Sequence, residues 1–211
     1  MNESHSKEER LTLELLDVIE RDGDISQRHL ASQMGVALGL ANLYLKRCVK
    51  KGLVKIKEAP ANRYFYYLTP KGFAEKSRLT ARFLSSSLTF YRQSVESLSD
   101  LYDSCENNGR NRLLFCGVSD LAEIALLRAR ETKLTVEGIY DPSHGAREFL
   151  GRPIFKNWHM CPKADAYVIT GLGNPLGLFK EVASYLGDSD RVLVPRVLGI
   201  EPRQAVAETN G

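Results

Sequence analysis

Hydrophobic spacing divides the first part of the chain into short helices and a ribbon. Leu11, Leu15, Leu16, Val18 and Ile19 recur every three or four residues between Glu8 and Arg21, the pattern of one buried helix face. Ser26 to Met34 repeats it over a shorter span, with Leu30, Ala31 and Met34 inward and Ser26 placed to cap the first turn. Gly35 ends that helix, and Val36 and Ala37 make a tight turn. Leu38 to Lys51 restart as a second helix with Leu40, Ala41, Leu45, Cys48 and Val49 on one side. Gly52 stops it. Leu53 to Lys57 and Arg63 to Leu68 are β-rich runs joined by a loop holding Pro60 and Asn62. Two helices across a tight turn, followed by a two-stranded ribbon, predict a helix-turn-helix with a wing.

The period then lengthens. Thr69 and Pro70 start a helix whose apolar positions, Phe73, Leu79, Phe83, Leu84, Leu88, Tyr91, Val95, Leu98 and Leu101, run on to about Cys105. Roughly 35 residues at about 1.5 Å each give a rod of about 50 Å. That outruns a small domain, so its stripe is expected to pack against a second subunit or against the C-terminal half. Glu106 to Asn111 is a polar linker. Beyond it, strands and helices alternate: Leu113 to Cys116, a helix over Leu121 to Arg130, Leu134 to Tyr140, an extended piece at Ile154 and Phe155, Ala166 to Thr170, a helix over Leu176 to Leu186, and Arg191 to Val194. Such alternation implies a parallel sheet covered on both faces. The expected organisation is a winged helix over 1–69, a linking helix over 70–106, a sheet domain over 112–200 and a loose tail over 201–211.

Charge is partitioned along the same lines. Residues 24–92 hold thirteen Lys/Arg against three Asp/Glu, residues 1–23 three against seven, and residues 93–211 thirteen against sixteen, so a net charge of +3 conceals a basic segment at the helix-turn-helix and wing. That is the electrostatic footprint of double-stranded DNA as partner. Leu38, Gly39, Asn42, Lys46 and Arg47 are expected to face the groove. The Asn42 amide can pair bidentately with adenine, whereas Lys46, Arg47, Lys50 and Lys51 suit phosphates, and Lys55, Lys57 and Arg63 belong to the wing. No apolar run approaches the roughly 20 residues that span a bilayer, and MNESHSKEERL lacks the apolar core of a secretory signal, so a cytoplasmic chain with no membrane partner is expected. Cys48, Cys105, Cys116 and Cys161 show no paired spacing and are expected to stay reduced.

Two resemblances extend this reading. Through ISQRHLASQMGVALGLANLYLK, KKGLVKIK and YLTPKGFAEKSRLTARFL, residues 8–92 resemble the MarR-type winged-helix regulators associated with exopolysaccharide gene clusters. The LG-x-x-N-x-x-LK pattern of that family falls on Leu38, Gly39, Asn42, Leu45 and Lys46, while the loop from Glu58 to Asn62 is shorter than the family's Asn-rich wing. The resemblance implies a dimeric regulator of polysaccharide genes. Through LLFCGVSDLAEIALL, GIYDP, GRPIF and ADAYVIT, the second half resembles the Rossmann-like domains of redox-sensing repressors and sugar acyltransferases. The fold class expected is therefore α/β overall: an N-terminal winged helix-turn-helix, a long helix and a C-terminal Rossmann-like parallel sheet.

A strand, a turn and a helix N-terminus make a pyrophosphate cradle, and an acidic residue after the second strand can hold ribose hydroxyls. Those roles fall on Gly117, Ser119, Asp120 and Asp141. A second turn, Thr170, Gly171, Gly173 and Asn174, is expected to share the same crevice, with a nucleotide, a nucleotide-sugar or NAD(H) as ligand. Ser119 and Ala122 stand where a dinucleotide fold has glycines. No Ser-His-Asp order or nucleophile elbow is present, and His159 and Cys161 fall short of a four-ligand metal site, so neither a catalytic residue nor a metal is expected. Alternatives to a ligand sensor are a C-terminal dimerisation module and a nucleotide-sugar enzyme fused to a DNA-binding domain.

Overall fold

The computed structural model describes residues 2–59 and 63–200. Pro60 and Asn62, the side chains of His5 and Arg63, and the tail over 201–211 lie outside the described residues. The chain divides into two compact units, Met1–Ser87 and Leu88–Gly211.

In the first unit, α1 (Asn2–Arg21) buries Leu11, Leu15, Leu16, Val18 and Ile19, the stripe its spacing predicts. Ser26 Oγ accepts the His29 amide at 3.2 Å and starts α2 (Gln27–Gln33). Gly35 takes the left-handed conformation, φ +62°, that lets the chain turn after one short helix. Then α3 (Leu38–Lys50) buries Ala41, Tyr44, Leu45 and Cys48. Strands β1 (Val54–Ala59) and β2 (Arg63–Leu68) pair antiparallel from Val54 opposite Leu68 to Ala59 opposite Arg63.

The start of α4 (Pro70–Asn107) is locked to this ribbon. Thr69 Oγ1 donates to Gly52 O at 2.7 Å and accepts the Gly72 amide at 3.0 Å, and Lys71 Nζ donates to Lys51 O at 2.9 Å. Gly72 passes so close to the Leu53 carbonyl that a Cβ has no room there. Lys76 bridges Asp17 and Glu20 of α1, and Arg82 reaches Glu9 at 2.5 Å, which fixes the same helix along α1.

The second unit is a six-stranded sheet in the order β5-β6-β4-β3-β7-β8, built from β3 (Arg112–Cys116), β4 (Thr135–Tyr140), β5 (Glu148–Phe149), β6 (Arg152–Phe155), β7 (Ala166–Ile169) and β8 (Val192–Leu193). All neighbours are parallel except β5 and β6, a two-residue hairpin, so the sheet is mixed rather than wholly parallel. Alternation along β3 sends Leu113 and Phe115 to one face and Leu114 and Cys116 to the other. The first face packs on α5 (Asp120–Ala129) and on Leu98, Tyr102 and Cys105 of α4, where Tyr102 Oη donates to Ala125 O at 2.8 Å. The second packs on Phe179 and Val182 of α6 (Pro175–Leu186).

Candidate functional site

On the first unit, the side of α3 opposite its core is open. Leu38, Gly39, Leu43, Lys46, Arg47 and Lys50 are exposed, and Lys51, Lys55 and Lys57 continue the exposed cations into β1. Two details were not visible in the spacing. Tyr44 is buried, and the Arg47 guanidinium lies over its ring, 5.5 Å from the centroid. Glu8 of α1 also stands against this cationic surface, 3.6 Å from Arg47 and 3.9 Å from Lys51. The carboxylate thus occupies the neighbourhood that a phosphate would enter.

Asn42 sits at the edge of that face rather than in its centre. Its side chain is half-buried, and Oδ1 is covered with no hydrogen-bond partner. An amide in that rotamer cannot present both of its groups to an adenine edge, so reading a base requires the side chain to turn outward. Arg63 was expected beside these residues; its side chain lies outside the described residues.

On the second unit, strand order reverses at β3, which runs between β4 and β7, and the loops leaving β3 and β7 come together at the carboxyl ends of the strands. Gly117, φ +96°, approaches Gly171 so closely that a Cβ on it would lie 2.6 Å from the Gly171 nitrogen. Thr170 Oγ1, wholly buried, donates to the Gly117 carbonyl at 2.6 Å. Ser119 Oγ donates to Thr170 O at 2.5 Å and accepts the Leu121 and Ala122 amides at 3.1 and 3.3 Å. The serine therefore caps its own helix with the group that a phosphate would otherwise supply.

Asp141 closes the third side. Its Oδ2 accepts the Val118 amide at 2.9 Å, and Oδ1 accepts the Ser143 amide and hydroxyl and the His144 amide at 3.0, 2.7 and 3.0 Å. Burial alone would raise this carboxyl; the four hydrogen bonds outweigh it and hold it below the ordinary carboxylate range. With three bonds on Oδ1 and one on Oδ2, Asp141 acts here as a strut between two loops, and Oδ2 keeps one accepting position.

The structure thus brings Gly117, Ser119, Asp141, Thr170 and Gly171 into one hydrogen-bonded floor. Asp120 is exposed in the first turn of α5, Gly173 is exposed, and Asn174 Oδ1 accepts the Gly177 amide at 3.0 Å to cap α6.

Beside this floor stands an aromatic ladder that the sequence did not single out. Trp158 stacks between Tyr140, with centroids 3.6 Å apart, and Tyr185, at 4.7 Å. Glu181 accepts from Tyr140 Oη at 2.6 Å and from Trp158 Nε1 at 3.3 Å. In the sequence Trp158 carries no spacing signal of its own; it directly precedes the segment from His159 to Cys161. Among the described residues, no group of three or more His, Cys, Asp or Glu could hold a metal ion, and no helix is long and apolar enough to cross a membrane.

Comparison with known proteins adds three findings. No curated protein matches the chain. Among solved structures, the chain is similar to human N-acetylserotonin methyltransferase in complex with SAM, at 12% identity over 85% of this chain and 73% of that one, TM-score 0.32. It is also similar to an O-methyltransferase from neocarzinostatin biosynthesis in complex with S-adenosyl-L-homocysteine, at 17% identity over 100% and 92%, TM-score 0.39. Both are methyltransferases by name, against the expectation of a chain without a reaction, and that expectation is withdrawn. Chemistry carried by a cofactor needs no nucleophile or acid/base group of the protein, so the lack of such a constellation in the sequence excludes no reaction. Overlaps this low assign no reaction to the chain. Finally, residues 8–55 match the family of winged helix-turn-helix DNA-binding domains, so the N-terminus of this chain carries a DNA-binding module of that kind.

Proposed function

We propose that the chain is a sequence-specific transcriptional regulator that binds double-stranded DNA as a homodimer. The observation that carries this reading is the exposed cationic face: Lys46, Arg47 and Lys50 on α3 beside Lys51, Lys55 and Lys57, on a module matched to DNA-binding domains. Lysines and arginines there hold phosphates and fix the register; Leu38 and Leu43 offer apolar contact to thymine methyls, and Asn42, turned outward, reads adenine. Leu84, Leu88 and Tyr91, exposed on α4, supply the apolar surface for pairing two subunits. The resemblance of the LG-x-x-N-x-x-LK segment points to polysaccharide genes as targets.

The C-terminal unit is proposed to sense a nucleotide or nucleotide-sugar at the crevice. Support comes from the reversal of strand order at β3 and β7, the place where open α/β sheets bind ligands. The bonds that Ser119 makes to Thr170, Thr170 to Gly117 and Asp141 to Val118 make the floor rigid in advance, and Asp120 and Gly173 border it.

Selection of duplexes from a random pool by the full chain tests the first part. An enriched motif, bound with a steep salt dependence, supports it; equal retention of all sequences overturns it. A thermal melt with NAD, NADH, nucleotides, nucleotide-sugars and SAM tests the second, with emission of the single tryptophan, Trp158, as a local reporter. A selective rise in melting temperature together with a change in emission supports sensing at the crevice. No response at saturating concentrations overturns it.

A further inference from the structure

At the opposite end of the parallel strands from the crevice lies a cavity of about 230 Å³. Leu126 and Ala129 at the end of α5, with Leu134 and Val136 at the start of β4, form its buried apolar floor. Arg130 and Arg152 also line it, and both are exposed, so two guanidinium groups stand at its rim. Five arginines of this unit are engaged by the chain itself: Arg110 and Arg191 donate to backbone carbonyls, and Arg112, Arg128 and Arg196 pair with Glu137, Glu131 and Asp100. Among the described residues, Arg130 and Arg152 have no such acceptor, a state they share with Arg92 and Arg147; Arg130 and Arg152 are the two that line the cavity.

The cover is unusual as well. Leu150 and Gly151 are the two central residues of the turn between β5 and β6, with Phe149 paired to Arg152. Both have positive φ, +50° and +75°, a conformation in which glycine or asparagine is at ease and leucine is strained. Leu150 is the one non-glycine residue in the left-handed region among the described residues. Its side chain lines the cavity, so the strained position keeps an apolar group over an apolar floor.

We propose that this cavity binds a small organic carboxylate with an apolar body. The carboxylate bridges Arg130 and Arg152, whose planar forks match two oxygens, and the hydrocarbon lies on Leu126, Leu134 and Val136 under Leu150. Sugars and nucleotides do not fit this chemistry. The one hydroxyl in the lining, Thr132 Oγ1, already donates to Ala129 O at 2.8 Å and accepts the Leu134 amide at 3.2 Å, and no side chain remains to accept from ligand hydroxyls. The carbonyl end of α5 points its negative dipole toward the same region, which two cations offset where one would do so less well.

Methyl NMR of the full chain tests this with hexanoate, hexanamide and inorganic phosphate as probes. Hexanoate is expected to shift the methyls of Leu126, Leu134, Val136 and Leu150 saturably, hexanamide to bind at least about tenfold more weakly, and phosphate to leave those methyls unmoved. The double variant Arg130→Gln, Arg152→Gln should reduce hexanoate affinity by about tenfold and leave hexanamide unchanged. Leu150→Gly relieves the turn and removes the cover, so it should fold and still lose hexanoate affinity. Equal binding of hexanoate and hexanamide, unchanged binding by the arginine variant, methyl shifts produced by phosphate, or no saturable shift at all would each overturn the proposal.

Discussion

Replacing Asn42 by alanine should move stability and specific DNA binding in opposite directions. In the free protein Oδ1 is buried without a partner, and a buried acceptor left unmade costs about 1–3 kcal/mol. Alanine is also better than asparagine inside a helix by roughly 0.5 kcal/mol. Lost packing of a half-buried side chain offsets part of this, leaving Asn42→Ala more stable by about 1–2 kcal/mol. On the duplex, losing a bidentate adenine contact should cost about 1–3 kcal/mol, roughly five- to 150-fold in affinity. Urea unfolding of the full chain gives the first quantity. Fluorescence anisotropy against the selected duplex and a scrambled one gives the second. A variant that is less stable by more than about 1 kcal/mol and weakened equally on both duplexes would show that Asn42 supports the helix and reads nothing.

Glu8→Gln should tighten binding to any duplex by about two- to fivefold, because it releases Arg47 and Lys51 from two partly exposed ion pairs worth a few tenths of a kcal/mol each; unchanged anisotropy titrations at low salt would contradict this. Gly72→Ala should destabilise the first unit by about 1–3 kcal/mol or more, since the new methyl meets the Leu53 carbonyl, and a denaturation midpoint equal to that of the unsubstituted chain would refute the close approach. The hydrogen bonds that lower the Asp141 pKa stabilise the fold above the ordinary carboxylate range and lose their effect as pH falls through the native value. Asp141→Asn should therefore be clearly less stable at pH 7, with the gap narrowing as pH falls below the ordinary carboxylate range; a gap independent of pH would count against the strut. Burial raises the thiols of Cys48, Cys105 and Cys161 to about 11, and raises that of wholly buried Cys116 well above the ordinary thiol range, so a thiol reagent at pH 8 should label the native chain slowly and the unfolded chain at once. Rapid labelling of the native protein would overturn that.

The elements legible in the sequence are those whose cause is local. Ser26, Gly35 and Gly52 punctuate the first unit within a few residues of the helices they bound, and the three-and-four spacing of Leu11 to Ile19 needs no distant partner to be read. Tyr44 escaped because a tyrosine on a basic helix passes for a surface residue; its burial depends on α1 packing against α3. The β5–β6 hairpin escaped because each strand contributes only two residues and its turn carries leucine instead of the usual Asn-Gly. Nothing in local spacing shows that Glu8 faces Arg47 and Lys51 across the fold, or that Trp158 enters a slot between Tyr140 and Tyr185.

The crevice shows the same boundary between local and distant causes, with a chemical consequence. By spacing alone, Ser119 in place of glycine reads as an obstacle to a pyrophosphate. In the fold it is the member that joins two loops, capping α5 through the Leu121 and Ala122 amides while donating to Thr170 O, fifty-one positions away. Asp141 repeats the arrangement with Val118, twenty-three positions away. Both residues satisfy inside the protein the groups that a dinucleotide fold reserves for its ligand. A phosphate entering here must therefore displace an existing hydrogen bond rather than fill a vacancy, so its net gain is the difference between two similar interactions. That difference is small unless the ligand also buries apolar surface or stacks on the neighbouring aromatic ladder. For the proposed nucleotide ligand, the planar ring must therefore supply most of the affinity, with its phosphates or sugar contributing orientation more than strength.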